Sequence, residues 1–241
     1  MRKAVFFDLD GTLLPLDMGE FIAKYNAAAK KSGFFEKISQ AHGESIFFEA
    51  VRAMLKNDGR APNRDVFYGA IESMSGRSAR YLIPFADSFY ENEFLEVKSC
   101  SHADGRVALL IEELKRKNYR LVVATNPLFP KTATDSRIRW AGLEPEDFEY
   151  VSYYDNSSYC KPNPGYYKEI LGKLGLDASE CYIVGNDVKE DMSAVSLGFC
   201  GFLVTDNIIG DMERAPECLK GDYSELLRFA KDLPALPPNF I

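Results

Sequence analysis

Four short apolar runs, spaced along the chain and each followed by a polar or glycine residue, constrain the fold more than any other feature. Ala4-Val5-Phe6-Phe7 runs into Asp8, Leu121-Val122-Val123-Ala124 into Thr125, and Cys181-Tyr182-Ile183-Val184 into Gly185-Asn186-Asp187; Gly201-Phe202-Leu203-Val204 is the fourth. Phe148 to Val151 gives a fifth, weaker run. Continuous apolar segments of this length, bounded by turn residues, read as strands buried on both faces. Between them the apolar spacing changes to a helical period. Val107, Leu110, Ile111 and Leu114 form one amphipathic face, with Asp104 placed to cap it. Pro164 opens a helix to about Leu174, another follows Asp187 to about Leu197, and a last one covers Tyr223 to Asp232, ahead of a Pro-rich end expected at the surface. Alternating β and α elements predict an α/β fold: a Rossmann-like parallel sheet with helices on both faces.

One stretch breaks the alternation. From Leu16 to about Lys98 there is almost no strand signal. Phe47, Phe48, Val51, Met54 and Leu55 share a helical face, as do Phe67, Ala70, Ile71 and Met74, and then Leu82, Phe85, Ala86 and Phe89. The first strand is thus cut off from the others by about eighty helical residues, which predicts a helical insert over 17–98 within a core of 1–16 and 99–241. A chain of 241 residues is long enough for such a core and a smaller insert.

Charge and cysteine usage narrow the partners. A formal net charge of −7 opposes binding to nucleic acid and to anionic membranes. The five cysteines are odd in number and none has C-x-x-C spacing, so neither a disulfide framework nor a zinc site is expected and a reducing, cytoplasmic setting is. Asp8 and Asp10 interrupt the apolar N-terminal run, which argues against a signal peptide. No stretch approaches the ~18 apolar residues of a membrane span.

In an open parallel sheet, ligands bind beyond the carboxyl ends of the strands. The residues placed there are Asp8 and Asp10, Thr125 and Asn126, and Asp187 and Asp191, with Lys161 adding a cation ahead of a helix. Several carboxylates gathered at one edge repel each other unless a cation sits among them. Oxygen ligands suit a hard ion, of which Mg2+ is the common case. Each segment also has a plain structural reading. Asp8-Leu9-Asp10-Gly11-Thr12 could be a polar turn, Thr125-Asn126-Pro127 another, Lys161 a solvated side chain, and Asp187 and Asp191 acids at a helix start.

Taken together and in order, these segments resemble the haloacid dehalogenase (HAD) superfamily. Asp8-Leu9-Asp10-Gly11-Thr12-Leu13 looks like its first motif, Thr125 its second, Lys161-Pro162-Asn163-Pro164 its third, and Gly185-Asn186-Asp187-Val188-Lys189-Glu190-Asp191 its fourth. The insert resembles that superfamily's helical cap. The resemblance implies a Mg2+-dependent phosphatase acting on a small phosphorylated metabolite through an aspartyl-phosphate on Asp8. With an ordinary carboxyl value of about 3.9, Asp8 is expected to be ionised. Asp10 would protonate the leaving oxygen and later deprotonate water. Thr125, Lys161 and the backbone near Asn126 would hold the phosphoryl group. Asp8, Asp10 and Asp187 would hold the metal, and Asp191 would ligate through water or hold Lys161. Asp10 separates this reading from the superfamily's transport ATPases, which carry Thr there, and from its dehalogenases. A phosphomutase shares every core motif. A phosphonate hydrolase would need an insert lysine, with Lys24, Lys30, Lys31, Lys37 and Lys56 as formal candidates. A non-catalytic binding module is the reading from another class.

Other residues read as structural. His42 and His102 are expected at the surface or in a linker, Trp140 and the insert aromatics in packing, and the cysteines as small buried groups. Tyr150, Tyr153, Tyr154 and Tyr159 fit either a pocket or a strand edge. Arg52, Arg77 and Arg80 could meet a substrate anion, but solvated surface positions are the expectation.

Overall fold

The computed structural model describes residues 2–238. Six strands form one parallel sheet: β1 (Ala4–Phe7), β2 (Arg120–Val123), β3 (Tyr150–Val151), β4 (Cys181–Gly185), β5 (Cys200–Val204) and β6 (Leu219–Gly221). Their order is β3-β2-β1-β4-β5-β6. The alternation of side chains along β1 explains why the runs had to be apolar throughout. Val5 and Phe7 enter one core cluster, while Ala4 and Phe6 enter another on the opposite face, and all four are fully buried. Register does the functional work: Phe7 pairs with both Val123 and Val184. The next residues on the three central strands therefore reach the same edge together. The Asp8 N–H continues the ladder to the Val184 carbonyl at 2.9 Å, and the Ala124 N–H donates to Phe7 at 2.7 Å.

Between β1 and β2 lie α1 (Met18–Lys31), α2 (Phe34–Ile38), α3 (Gly43–Leu55), α4 (Asn63–Ser75) and α5 (Ala79–Glu91), then a 3-10 segment Glu93–Cys100 and α6 (Gly105–Arg116). The helices α7 (Lys131–Trp140), α8 (Pro164–Leu174) and α9 (Tyr223–Asp232) complete the core. Caps anticipated from sequence are present: Asp104 accepts from the Arg106 N–H, and Pro164 follows an Asn163 side chain that caps α8. The chain leaves and re-enters the core at one place, where Leu16 bridges Ser101 and the His102 N–H donates to Pro15 at 3.2 Å.

The helical insert shares its hydrophobic interior with one face of the sheet. Phe94 is buried from both sides, stacked on Trp140 of α7 at 5.3 Å and edge-on to Phe21 of α1 at 6.5 Å. The start of α4 is tied to the core by the Asn63 and Arg64 N–H groups, which donate to the carbonyls of Ser157 and Tyr154.

Three expectations need correction. No α-helix follows directly on Asp187: residues 188–191 form turns and Met192–Leu197 is a 3-10 segment, because after one i→i−4 bond the Met192 N–H also returns to the Asp187 carbonyl and the next bond, Ala194 to Asp191, is i→i−3. Leu55 and Met74, assigned to apolar faces, are 43% and 45% exposed, since each sits in the last turn of its helix, beyond the contact. The Pro-rich end is not wholly superficial. Leu233 and Leu236 are buried, and the Leu236 N–H donates to Lys117 at 2.9 Å; residues 239–241 lie outside the described residues.

Phe94→Ala removes a fully buried ring from the contact between insert and core. It is expected to cost about 3–5 kcal/mol in urea denaturation. A loss under about 1 kcal/mol would show that the two halves do not depend on this packing.

Candidate active site

Asp8 stands at the end of β1 with its Oδ1 2.7 Å from Lys161 Nζ, and the same Nζ lies 2.6 Å from Asp191 Oδ1. Lys161 is 2% exposed and Asp191 1%, so this cation bridges two carboxylates almost out of reach of water. Burial alone would push the lysine down, but Asp191 and Asp8 outweigh it and hold its ammonium well above the ordinary range. Burial pushes Asp8 up, against the pull of Lys161, and the neighbouring Asp10 charge adds to the rise. Asp191 is pushed up to about 7 by burial and then by Asp8. The expectation of an unperturbed Asp8 is therefore too simple: its charge depends on Lys161.

Both Asp191 oxygens are engaged. Its Oδ1 takes Lys161 and its Oδ2 accepts the Asp187 N–H at 2.9 Å. Of the two roles considered for it, holding Lys161 is the one its contacts support. Gly185 makes this possible, since a Cβ there would lie 2.3 Å from the Asp191 carboxyl carbon. Asp187 accepts the N–H groups of Lys189 and Glu190 on Oδ1, at 2.7 and 2.8 Å.

Asp10 sits beyond β1 in a tight loop held by Gly11, whose φ is +87° and whose Cβ, if present, would strike Asn186 at 2.3 Å. Asn186 also accepts from Thr12 Oγ1 at 3.1 Å, which joins the first and last of the four segments directly. The Asp10 carboxylate pairs with Arg137 through Oδ2. Burial raises the Asp10 carboxyl, while Arg137 and then Lys161 pull it back. Arg137 is fully buried, stacks on Phe129 at 4.3 Å and donates to Thr134 Oγ1 at 3.2 Å. Sequence reasoning did not pick out Arg137. Its only signal was a charge on the α7 face that carries Ala133, Thr134 and Ile138.

Thr125 is buried beyond β2, and its carbonyl accepts from Ser152 and Tyr166 at 2.8 and 2.7 Å. The Asn126 side chain is engaged as a strut: Oδ1 accepts the Lys161 N–H at 3.2 Å and Nδ2 donates to Glu190 at 2.9 Å. Glu190, also missed in the sequence, lines the same cavity, and burial raises its carboxyl.

All seven candidates come together, six of them lining one cavity and Lys161 bonded to two of those six, Asp8 and Asp191, without lining it. The cavity holds about 270 Å3 and is walled by Asp8, Asp10, Thr125, Asn126, Asp187 and Asp191. A larger, polar cavity of about 570 Å3 joins it through Asp10, Asn186, Met18 and Ile209. His102 lines that second cavity, so it is nearer the chemistry than its linker position suggested. His42, Arg52, Arg77 and Arg80 are exposed and line neither cavity. Tyr154 and Trp140 are buried, and the Tyr153 hydroxyl donates to Asp135 at 2.8 Å.

The donor set fits a hard divalent cation. Asp8, Asp10, Asp187 and Asp191 face only Lys161 and Arg137 as buried cations, leaving an excess of two negative charges. Asp10 Oδ1 is buried without a hydrogen-bond partner among the described residues. No three acidic, His or Cys side chains are already gathered as a metal cage among those residues. A small hard ion does not require one, because it keeps several waters and binds one or two carboxylates.

The glyceraldehyde 3-phosphate phosphatase of Methanothermobacter thermautotrophicus is 26% identical over 210 residues, 86% of this chain and 88% of that protein. Crystal structures of a predicted phosphoglycolate phosphatase from Haemophilus somnus (20% identity, TM-score 0.60) and a 2-haloacid dehalogenase from Pseudomonas syringae (23%, 0.59) share the fold. Each alignment covers 95% of this chain, with 97% and 99% of the other. The family model for haloacid dehalogenase-like hydrolases matches residues 2–196, and the chain belongs to that family.

Proposed function

We propose that this hydrolase is a Mg2+-dependent phosphatase of small organic phosphate monoesters, with Asp8 as nucleophile. The observation that carries this is the Lys161 ammonium fixed between Asp8 and Asp191. It favours the ionised form of a buried carboxylate and orients it through Oδ1, leaving Oδ2 with no side-chain hydrogen bond among the described residues. The Methanothermobacter relative, named for a phosphatase activity, supports the same class.

In the first step Asp8 Oδ2 attacks phosphorus and the bond to the leaving oxygen breaks, as Asp10 gives that oxygen a proton. In the second step Asp10 removes a proton from water, whose oxygen attacks phosphorus and releases phosphate from Asp8. Burial raises the Asp10 carboxyl, the direction that favours its holding a proton to give, while Arg137 pulls it back. Arg137 holds Asp10 in place. Thr125 and the backbone at Asn126 bind the phosphoryl oxygens, assisted by Lys161. Asp8, Asp187 and Asp10, the last through its backbone carbonyl, would hold Mg2+, which neutralises phosphoryl charge when bound; the unpartnered Oδ1 of Asp10 is then left for proton transfer. Residues 17–98 would act as a cap over the site.

Two of the alternatives have less behind them. None of the insert lysines proposed for a phosphonate hydrolase lines either cavity at the site. A binding module has no use for a buried Lys161 between two carboxylates.

Hydrolysis of p-nitrophenyl phosphate is expected to require Mg2+, to stop with EDTA, and to fall at least about a thousandfold in Asp8→Asn. Retained turnover in Asp8→Asn would refute the nucleophile. Asp10→Asn is expected to lower kcat about 10²–10⁴-fold. For Arg137→Met we expect kcat about a hundredfold lower with KM changed less than about threefold, and partial rescue by Arg137→Lys. An effect confined to KM would remove Arg137 from a positioning role.

A further inference from the structure

A third cavity lies beside the candidate site and differs from it in chemistry. It holds about 230 Å3 between α1, α3 and the segment after β2. Met18, Phe21, Leu128 and Phe129 line both this cavity and the one around Asp8, so the two lie side by side across these four side chains. Phe47, Val51 and Tyr90 line it further from Asp8, and no Asp, Glu, Lys or Arg lines it at all. Whole-ligand sites typically occupy about 300–1,000 Å3, so this volume suits one moiety of a ligand held elsewhere.

One polar atom faces the cavity: Asn26 Oδ1, buried and without a hydrogen-bond partner among the described residues. Only a donor meets such an acceptor, so the lining suits an apolar group that carries at most a single hydroxyl.

We infer that this cavity is the leaving-group subsite, and that it takes an uncharged, largely apolar group esterified to the phosphate. The inference rests on the phosphatase reading and adds a substrate class to it. Anionic leaving groups are disfavoured on both sides. In the apolar cavity a carboxylate would lose its hydration without a partner. The polar cavity beyond Asp10 presents Asp17 and Glu20 and no Lys or Arg.

Alkylphosphonates, which resist hydrolysis, test this by calorimetry with Mg2+ present. Each methylene moved from water into the cavity is expected to tighten binding about fourfold, so butylphosphonate should bind roughly fiftyfold tighter than methylphosphonate. Val51→Trp, which fills the far wall, should cut that ratio at least tenfold. A ratio under about threefold in the wild type would overturn the subsite. So would dihydroxypropylphosphonate binding at least as tightly as propylphosphonate, which would put the leaving group in the polar cavity. Because binding is read directly, a failed chain-length trend is distinct from failed turnover: absence of hydrolysis across phosphate esters would count against the phosphatase reading alone.

Discussion

The buried Lys161 is the interaction on which the catalytic edge depends. A lysine taken out of water is stable as an ammonium only if carboxylates face it closely, and here two do, at 2.7 and 2.6 Å. Removing either partner would leave an uncompensated charge in the interior. The arrangement also dictates backbone around it. Asp191 can reach Lys161 only because Gly185 has no Cβ, and the Asn126 amide holds the Lys161 backbone against the end of β2. The lysine is thus both a structural requirement of the sheet edge and the reason Asp8 can carry charge there.

A second ion pair, Asp10 with Arg137, performs a parallel task one turn away. The two pairs keep the acidic groups distinct. Asp8 is oriented by a lysine shared with Asp191, while Asp10 is oriented by an arginine packed on Phe129. Two carboxylates two residues apart therefore have different environments, the condition under which one can attack while the other moves protons. Around them the helical insert contributes Met18 and Phe21 to the cavity at Asp8, and Asp17 and Glu20 to the polar cavity beyond Asp10.

Much of this was legible in the sequence, for physical reasons. Strands buried on both faces must be apolar throughout, so β1, β2, β4 and β5 were visible as uninterrupted runs, and the sheet rule then placed Asp8, Thr125 and Asp187 at one edge. The third strand is only two residues long and carried correspondingly little signal. Arg137 and Glu190 were not legible, because a charged residue on a helix or turn reads as solvated unless its buried partner is known. The turns after Asp187 read as a helix in the sequence because Asp and Glu there match a helix start equally well. Side-chain direction on α1 and α3, which creates the apolar cavity, is a property of packing and leaves no periodic trace beyond ordinary amphipathicity.

The central claim is that Asp8 forms a covalent bond to phosphorus. The stereochemistry at phosphorus tests it most directly, using an ester made chiral by oxygen isotopes and hydrolysed by the wild-type protein. Two successive in-line displacements, first by Asp8 and then by water, predict overall retention of configuration. Inversion would mean that water attacks the ester in one step, and that Asp8 is not the nucleophile.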